Sequence, residues 1–260
     1  MRRLFRTSRQ YLFGKGTIKN YILYSIGEIA LVVIGILIAL SIDNWNDERK
    51  DITKEQQILT QLRDEFKSNL LQLEEKISTR RSMIQACQKV LNDIDNPAMA
   101  NRDSLITRLA RQMNDPTFDP IINDLIGSGN IRLIRNEQLK RLLTNWSSDV
   151  IALQEVEKRW TKIVDELVVP SYVKLGIARD GIDRASNNEL VPFALDKLTD
   201  NLTPLGQSSR SPTTTEILAN RDLEGIISVS IGLNQSGNIQ SYALQNRINK
   251  IVSLLNEEIN

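Results

Sequence analysis

The sequence contains no histidine among its 260 residues. That absence excludes Ser-His-Asp and Cys-His nucleophile pairs and zinc sites built on imidazole. It holds one cysteine, Cys87, so no disulfide can form within the chain, and a chain of this length can bury enough core to fold without one. Net charge is nearly absent, with 33 Lys and Arg against 32 Asp and Glu, which leaves no global basic surface for nucleic acid. Proline and glycine are missing from Asp43 to Asp95, so nothing in that stretch interrupts a helix. Gly127-Ser-Gly-Asn130 lacks the preceding strand and the Lys-Ser/Thr of a phosphate-cradling loop and reads as a turn. No heme-attachment spacing or internal repeat is evident, and no cofactor or metal is expected.

What the sequence does hold is one long apolar run. Tyr21 to Ile42 reads YILYSIGEIALVVIGILIALSI, about 22 residues or roughly 33 Å of helix, enough to cross a bilayer. Tyr21 and Tyr24 at one end and Trp45 just past the other fit aromatic anchors at the two interfaces. The competing reading is a cleaved signal peptide, with Ala39 and Ser41 as a weak small-x-small cleavage pattern. The length of the run and the charge of Glu28 within it favour an uncleaved anchor. Arg2, Arg3, Arg6, Arg9, Lys15 and Lys19 precede the run, whereas the twenty residues after it hold only Arg49, Lys50 and Lys54. Basic residues stay on the cytoplasmic side. The expected order is a basic cytoplasmic segment (1–20), a transmembrane helix (21–42) and an extracytoplasmic domain (43–260) held at the inner membrane.

Glu28 lies about seven residues inside the run, roughly 10 Å from its start. An ionised carboxylate there costs several kcal/mol unless it is protonated, paired or hydrated. Helical spacing places Glu28, Val32, Gly35 and Ala39 on one face, where Gly35-x-x-x-Ala39 lets another helix approach closely. Lipid cannot hydrogen-bond a carboxyl group, so this face is expected to meet protein, either a second copy or another membrane protein. The plainer alternative is a protonated or interfacially hydrated Glu28 with no further task.

The run Ile26-Gly27-Glu28-Ile29, then Leu31 to Leu40, then Asn44-Trp45-Asn46-Asp47-Glu48-Arg49-Lys50, resembles a family of small single-span membrane proteins of unknown function from Gram-negative bacteria of the Bacteroidetes type. Leu125 to Asn136, with Leu139 and Leu142 beyond it, is similar to a second segment of that family, with Ile131 where the family often has Leu. The resemblance implies a single-span topology and a bacterial source, and it implies no activity.

Beyond the run, apolar positions at Leu59, Leu62, Phe66, Leu70, Leu73, Ile77, Ile84, Cys87, Leu91 and Ile94 step by threes and fours. This predicts an amphipathic helix continuing the membrane helix, a rod of roughly 70 residues or on the order of 100 Å. Arg80 occupies the one vacant turn of the seam, which favours a bundle face over a coiled coil. Cys87 on the stripe reads as a small buried hydrophobe. Asn96-Pro97 ends the helix. A short helix is expected over Ser104–Met113, and another from Pro120, capped by Asp119, to about Ile126. Asn136 to Val169 is the second long helix. Its stripe holds Leu139, Leu142, Leu143, Trp146, Val150, Leu153, Val156, Trp160, Ile163, Val164 and Leu167, and both tryptophans read as core. Pro170 is expected to close it. Residues 171–188 read as irregular or partly helical, 189–202 as a short helix, and 205–215 as a loop with Thr213 or Thr214 capping the next helix. Residues 216–235 and 239–258 read as a helical hairpin across Gly237. The expected fold is all-α: one N-terminal transmembrane helix continuing into a long helix, with an extracytoplasmic antiparallel helical bundle.

Carboxylates are plentiful, but no pair of acid and base is nominated across a pocket, so catalysis is not expected. The expected function is a membrane-anchored interaction or scaffold protein, oligomeric or part of a membrane complex. The alternative is a proton- or force-coupled accessory subunit of an inner-membrane energy-transducing complex that uses Glu28.

Overall fold

A computed structural model describes residues 18–121, 129–187 and 204–259. All regular structure among them is helical. The chain divides into two compact units, the first ending at Gln57 and the second running from Ile58 to Asn260.

Helix α1 is Ile18–Asp95, unbroken across the boundary expected between a membrane helix and a long amphipathic helix. It stops where Asn96 turns out of helical geometry before Pro97, the position at which a proline next in the chain disfavours the helix. In the first unit, the large apolar side chains from Ile22 to Ile42 are exposed. This helix is long and apolar enough to cross a membrane.

The second unit is built on the rest of α1, α3 (Glu137–Ile163) and α7 (Arg221–Glu258). The shorter α2 (Arg102–Ala110), α4 (Val169–Lys174), α5 (Ala178–Asn187) and α6 (Thr214–Leu218) complete it. Asparagine caps open α3 and α7. The Asn136 side chain accepts from Leu139 N, and that of Asn220 from Asp222 N and Leu223 N, satisfying donors a helix N-terminus leaves free. Of the two caps the sequence offered, Thr213 or Thr214, it is Thr213 that caps α6, in a full capping box with Glu216.

Direction is read from the cross-contacts. Phe66 meets Trp146 edge-on, ring centroids 4.9 Å apart, and Arg80 meets Glu157. So α1 and α3 run parallel, not antiparallel as expected. Between them the chain returns from the Asp95 end of α1, so that Trp146 near the start of α3 stands at the level of Phe66. Gln245 donates to Glu74, Arg81 to Tyr242, and Arg247 pairs with Asp149, so α7 is antiparallel to both.

Three further expectations are corrected. No hairpin turns at Gly237, because α7 is one helix of 38 residues. A lone helical glycine costs only about 1 kcal/mol, and burial on both sides of it outweighs that. Pro170 does not close α3. A π-turn at Val164–Val168 precedes it, and the helical path continues through α4. The π-turn inserts one residue, so Leu167 points outward and Val168 takes its inward place. The path ends at Gly176, φ +73°, where Ile177 N donates back to Tyr172 O. Residues 171–187 are therefore largely helical. The helix expected over 189–202 lies outside the described residues, as does most of that expected from Pro120, and Pro120 and Ile121 are not helical.

The core has two apolar halves. One gathers Leu59, Leu62, Phe66, Trp146, Leu153, Ile248 and their neighbours. The other gathers Cys87, Val90, Leu105, Leu109, Tyr172, Ile217 and Leu223. Burial pushes the Cys87 thiol up to about 12, which makes it an inert packing residue, as its place on the stripe suggested. A polar layer on α7 separates the halves: Ser230, Asn234, Asn238 and Ser241 are all buried.

Candidate functional site

In the first unit, Glu28, Val32, Gly35 and Ala39 are exposed along α1, and a Cβ built on Gly35 would meet nothing within 4 Å. Their spacing keeps them on one helical face. Tyr24 is half-buried, and the Tyr21 side chain lies outside the described ones. Trp45 is exposed with the Arg49 guanidinium 5.1 Å from its ring centre.

In the second unit, the notable chemistry is a buried ionic centre in the polar layer. Arg80 projects from α1 with 2% of its surface exposed. Its guanidinium donates to Ser241 Oγ on α7 (2.9 Å), to Pro116 O (2.7 Å) and to Glu157 Oε1 on α3. Glu157 Oε2 accepts from Phe118 N at 3.1 Å. Burial raises the Glu157 carboxyl above the ordinary glutamate range, against the opposing pull of Arg80 and the Phe118 N–H. Burial likewise lowers Arg80, against the pull of Glu157, but an arginine keeps its proton in proteins. The result is a charge pair whose partners satisfy one another and two backbone groups.

The segment 114–121 that closes over this centre has no regular structure, so side chains must take up its backbone polar groups. Trp160 Nε1 donates to Asn114 O (2.9 Å), Gln72 Oε1 accepts from Asp119 N (3.1 Å), and Asn69 both donates to Ile121 O and accepts from Ile121 N. Trp160 is thus core with its one donor placed, as expected of a buried tryptophan.

Gly237 is the third side of the centre. A Cβ there would stand 3.1 Å from Arg80 Nε and 3.3 Å from Arg80 Cδ. Glycine is present at that turn because the arginine side chain occupies the space. A void of about 10 Å³ beside Asn234 and Trp160 is the size of a water molecule and no larger ligand. This centre ties α1, α3 and α7 together.

Sequence reasoning placed Arg80 on the seam but missed Glu157. The signal was weaker than for Arg80: Glu157 lies on the 153, 157, 160, 164 line of α3, but Val156 beside it filled the same step of the apolar stripe and hid the acid. Two opposite charges at inward positions of neighbouring helices are a pair awaiting assignment.

A second polar cluster ties down the loop before α6. Asp180 accepts from Ser208 N (2.8 Å), from Arg102 Nη2 (2.6 Å) and from Ser211, and Asp183 accepts from Gly206 N (2.8 Å). Burial alone would raise Asp180, but the hydrogen bonds from Ser211, Ser208 and Arg102 together leave it below the ordinary aspartate range.

Residues 28–103 match the model of a family of unknown function (DUF6090), beginning at Glu28 and covering under a third of the chain. The chain is similar to that family over the apolar run from Glu28 onward, all the rest of α1 and the start of α2. No curated protein and no solved structure matches it.

Proposed function

We propose that this chain is a membrane-anchored helical interaction or scaffold protein without catalytic activity. The apolar part of its first helix, residues 21–42, spans the inner membrane, the N-terminus is in the cytoplasm and the helical unit is in the periplasm. The observation that supports this is the exposure of every large apolar side chain from Ile22 to Ile42. Burying one such side chain is worth about 1.5–3 kcal/mol, so leaving the run in water would cost tens of kcal/mol. A bilayer removes that cost with no further partner. Reporter fusions at Asp95 and Asn260 test the topology. Export-dependent reporters are expected to be active at both sites, and cytoplasmic-type activity at both would overturn it.

The protein partner in this reading is a second membrane helix, of this chain or another, seated on Glu28, Val32, Gly35 and Ala39. The exposed carboxylate in an apolar surface needs a hydrogen-bonding neighbour, and Gly35 leaves room for one. Disulfide trapping compares Ala39→Cys with Leu37→Cys on the opposite face. Buried Cys87 is inert enough to stay silent. Trapping at 39, to a second copy or to a partner helix carrying its own cysteine, is expected to exceed that at 37 several-fold, and equal trapping to both would remove the interface. The second reading, a proton- or force-coupled accessory subunit, rests on Glu28 alone. Glu28→Gln keeps a hydrogen-bonding amide, so the scaffold reading expects assembly and function to survive it. Loss of proton-driven activity with assembly intact would favour the second reading.

A further inference from the structure

We infer that the Arg80–Glu157 centre is an axial register lock, which fixes where α1 stands along α3 and α7 rather than adding net stability. The apolar halves of the core cannot set that register by themselves. On α1 they offer Leu59, Leu62, Phe66, Leu73 and Ile77, and on α7 Leu244, Ile248, Ile251 and Leu255. Apart from the place of buried Asn69 between Phe66 and Leu73, both series step by three or four residues, so a slide by one turn, about 5.4 Å, exchanges one aliphatic side chain for another everywhere but at Phe66 and keeps most of the burial. Volume-conserving exchanges of this kind cost little.

The ionic centre has no such degeneracy. Arg80 fits against α7 only where Gly237 lacks a side chain, with Ser241 one turn on to accept from it. One turn earlier or later the guanidinium would meet Leu233 and Asn234 or Leu244. A slide along α3 would part it from Glu157, the acid among the inward-facing residues of that helix. A misplaced Arg80 is a buried charge without its counter-charge, the costliest error a helix bundle can make. Buried ion pairs often add little over well-fitting uncharged side chains, and specifying register is their best-attested use.

The test uses the full-length chain in mild detergent with spin labels at Lys67→Cys on α1 and Ile239→Cys on α7. Both positions are exposed and well separated along the helix axes, while Cys87 stays unlabelled. Pulsed dipolar distances are measured with and without Arg80→Met plus Glu157→Gln, which keeps an acceptor for Phe118 N. The parent is expected to give one narrow population. The double variant is expected to gain a second population displaced by about 5 Å, with a melting midpoint within about 5 °C of the parent. A single unmoved population in a folded double variant overturns the lock. So does failure of the double variant to fold, because the pair would then be a net stabiliser.

Discussion

Glu157→Leu is expected to lower the stability of the helical unit by about 3–5 kcal/mol, the cost of breaking a buried ion pair from one side. In a unit of this size that corresponds to a fall in melting midpoint of roughly 6–20 °C. Leucine is no smaller than glutamate, so cavity formation contributes little. The cost comes from what is stranded. Arg80, 2% exposed, keeps its charge with only Ser241 and Pro116 O to share it. Phe118 N loses its acceptor, and an unpaired buried donor alone costs about 1–3 kcal/mol. The contrast is Lys162–Glu166, an ion pair at 3.8 Å with both side chains more than 60% exposed. Glu166→Gln there is expected to change stability by less than about 0.5 kcal/mol. Chemical denaturation of both variants checks the comparison. A Glu157→Leu effect under about 1 kcal/mol would mean that water reaches Arg80, and the centre would not be a closed pair.

How far the sequence foretold the structure varied with the kind of signal. The first helix was legible because it holds no proline and, beyond Gly35, no glycine, and Asn96-Pro97 stops it by local chemistry alone. Its inward positions were legible from spacing, Arg80 included. Met83 and Val90, both buried, were passed over, although each lies one residue from a position named on the stripe. The break at Gly237 was misread because a glycine between two helical stretches looks the same whether the chain turns there or a neighbour needs the space. Only the position of Arg80, about 160 residues earlier in the chain, decides between them. The π-turn before Pro170 was invisible for a similar reason. Proline lacks the donor whether the helix ends or widens by one residue around it. Parallel packing of α1 and α3 depends on which end of α1 the chain returns to between them, and helical periodicity carries no information about that. The face holding Glu28, Val32, Gly35 and Ala39 was named from spacing, and the structure adds its exposure and not its partner.

Substitution at Leu139 tests the second long helix most severely. Leu139 is fully buried in the first turn of α3, its N–H held by the Asn136 cap. Leu139→Asp is expected to cost at least about 4 kcal/mol. Removing the leucine side chain accounts for about 2–5 kcal/mol, and burying a carboxyl without a partner adds to it. One effect opposes this, because an acidic residue in the first helical turn gains about 0.3–1 kcal/mol from the helix dipole. Burial outweighs that several-fold. Leu142, three residues on and on the same stripe by spacing, is only half-buried at the edge of the cluster. An aspartate there can turn its carboxylate to solvent, so Leu142→Asp is expected to cost about 1–2 kcal/mol. Denaturant titrations of the two variants measure the difference directly. Equal losses would place Leu142 as deep as Leu139 and rotate the inward face of α3 toward it. A negligible loss at Leu139 would mean that the first turn of α3 is frayed and that the Asn136 cap does not form.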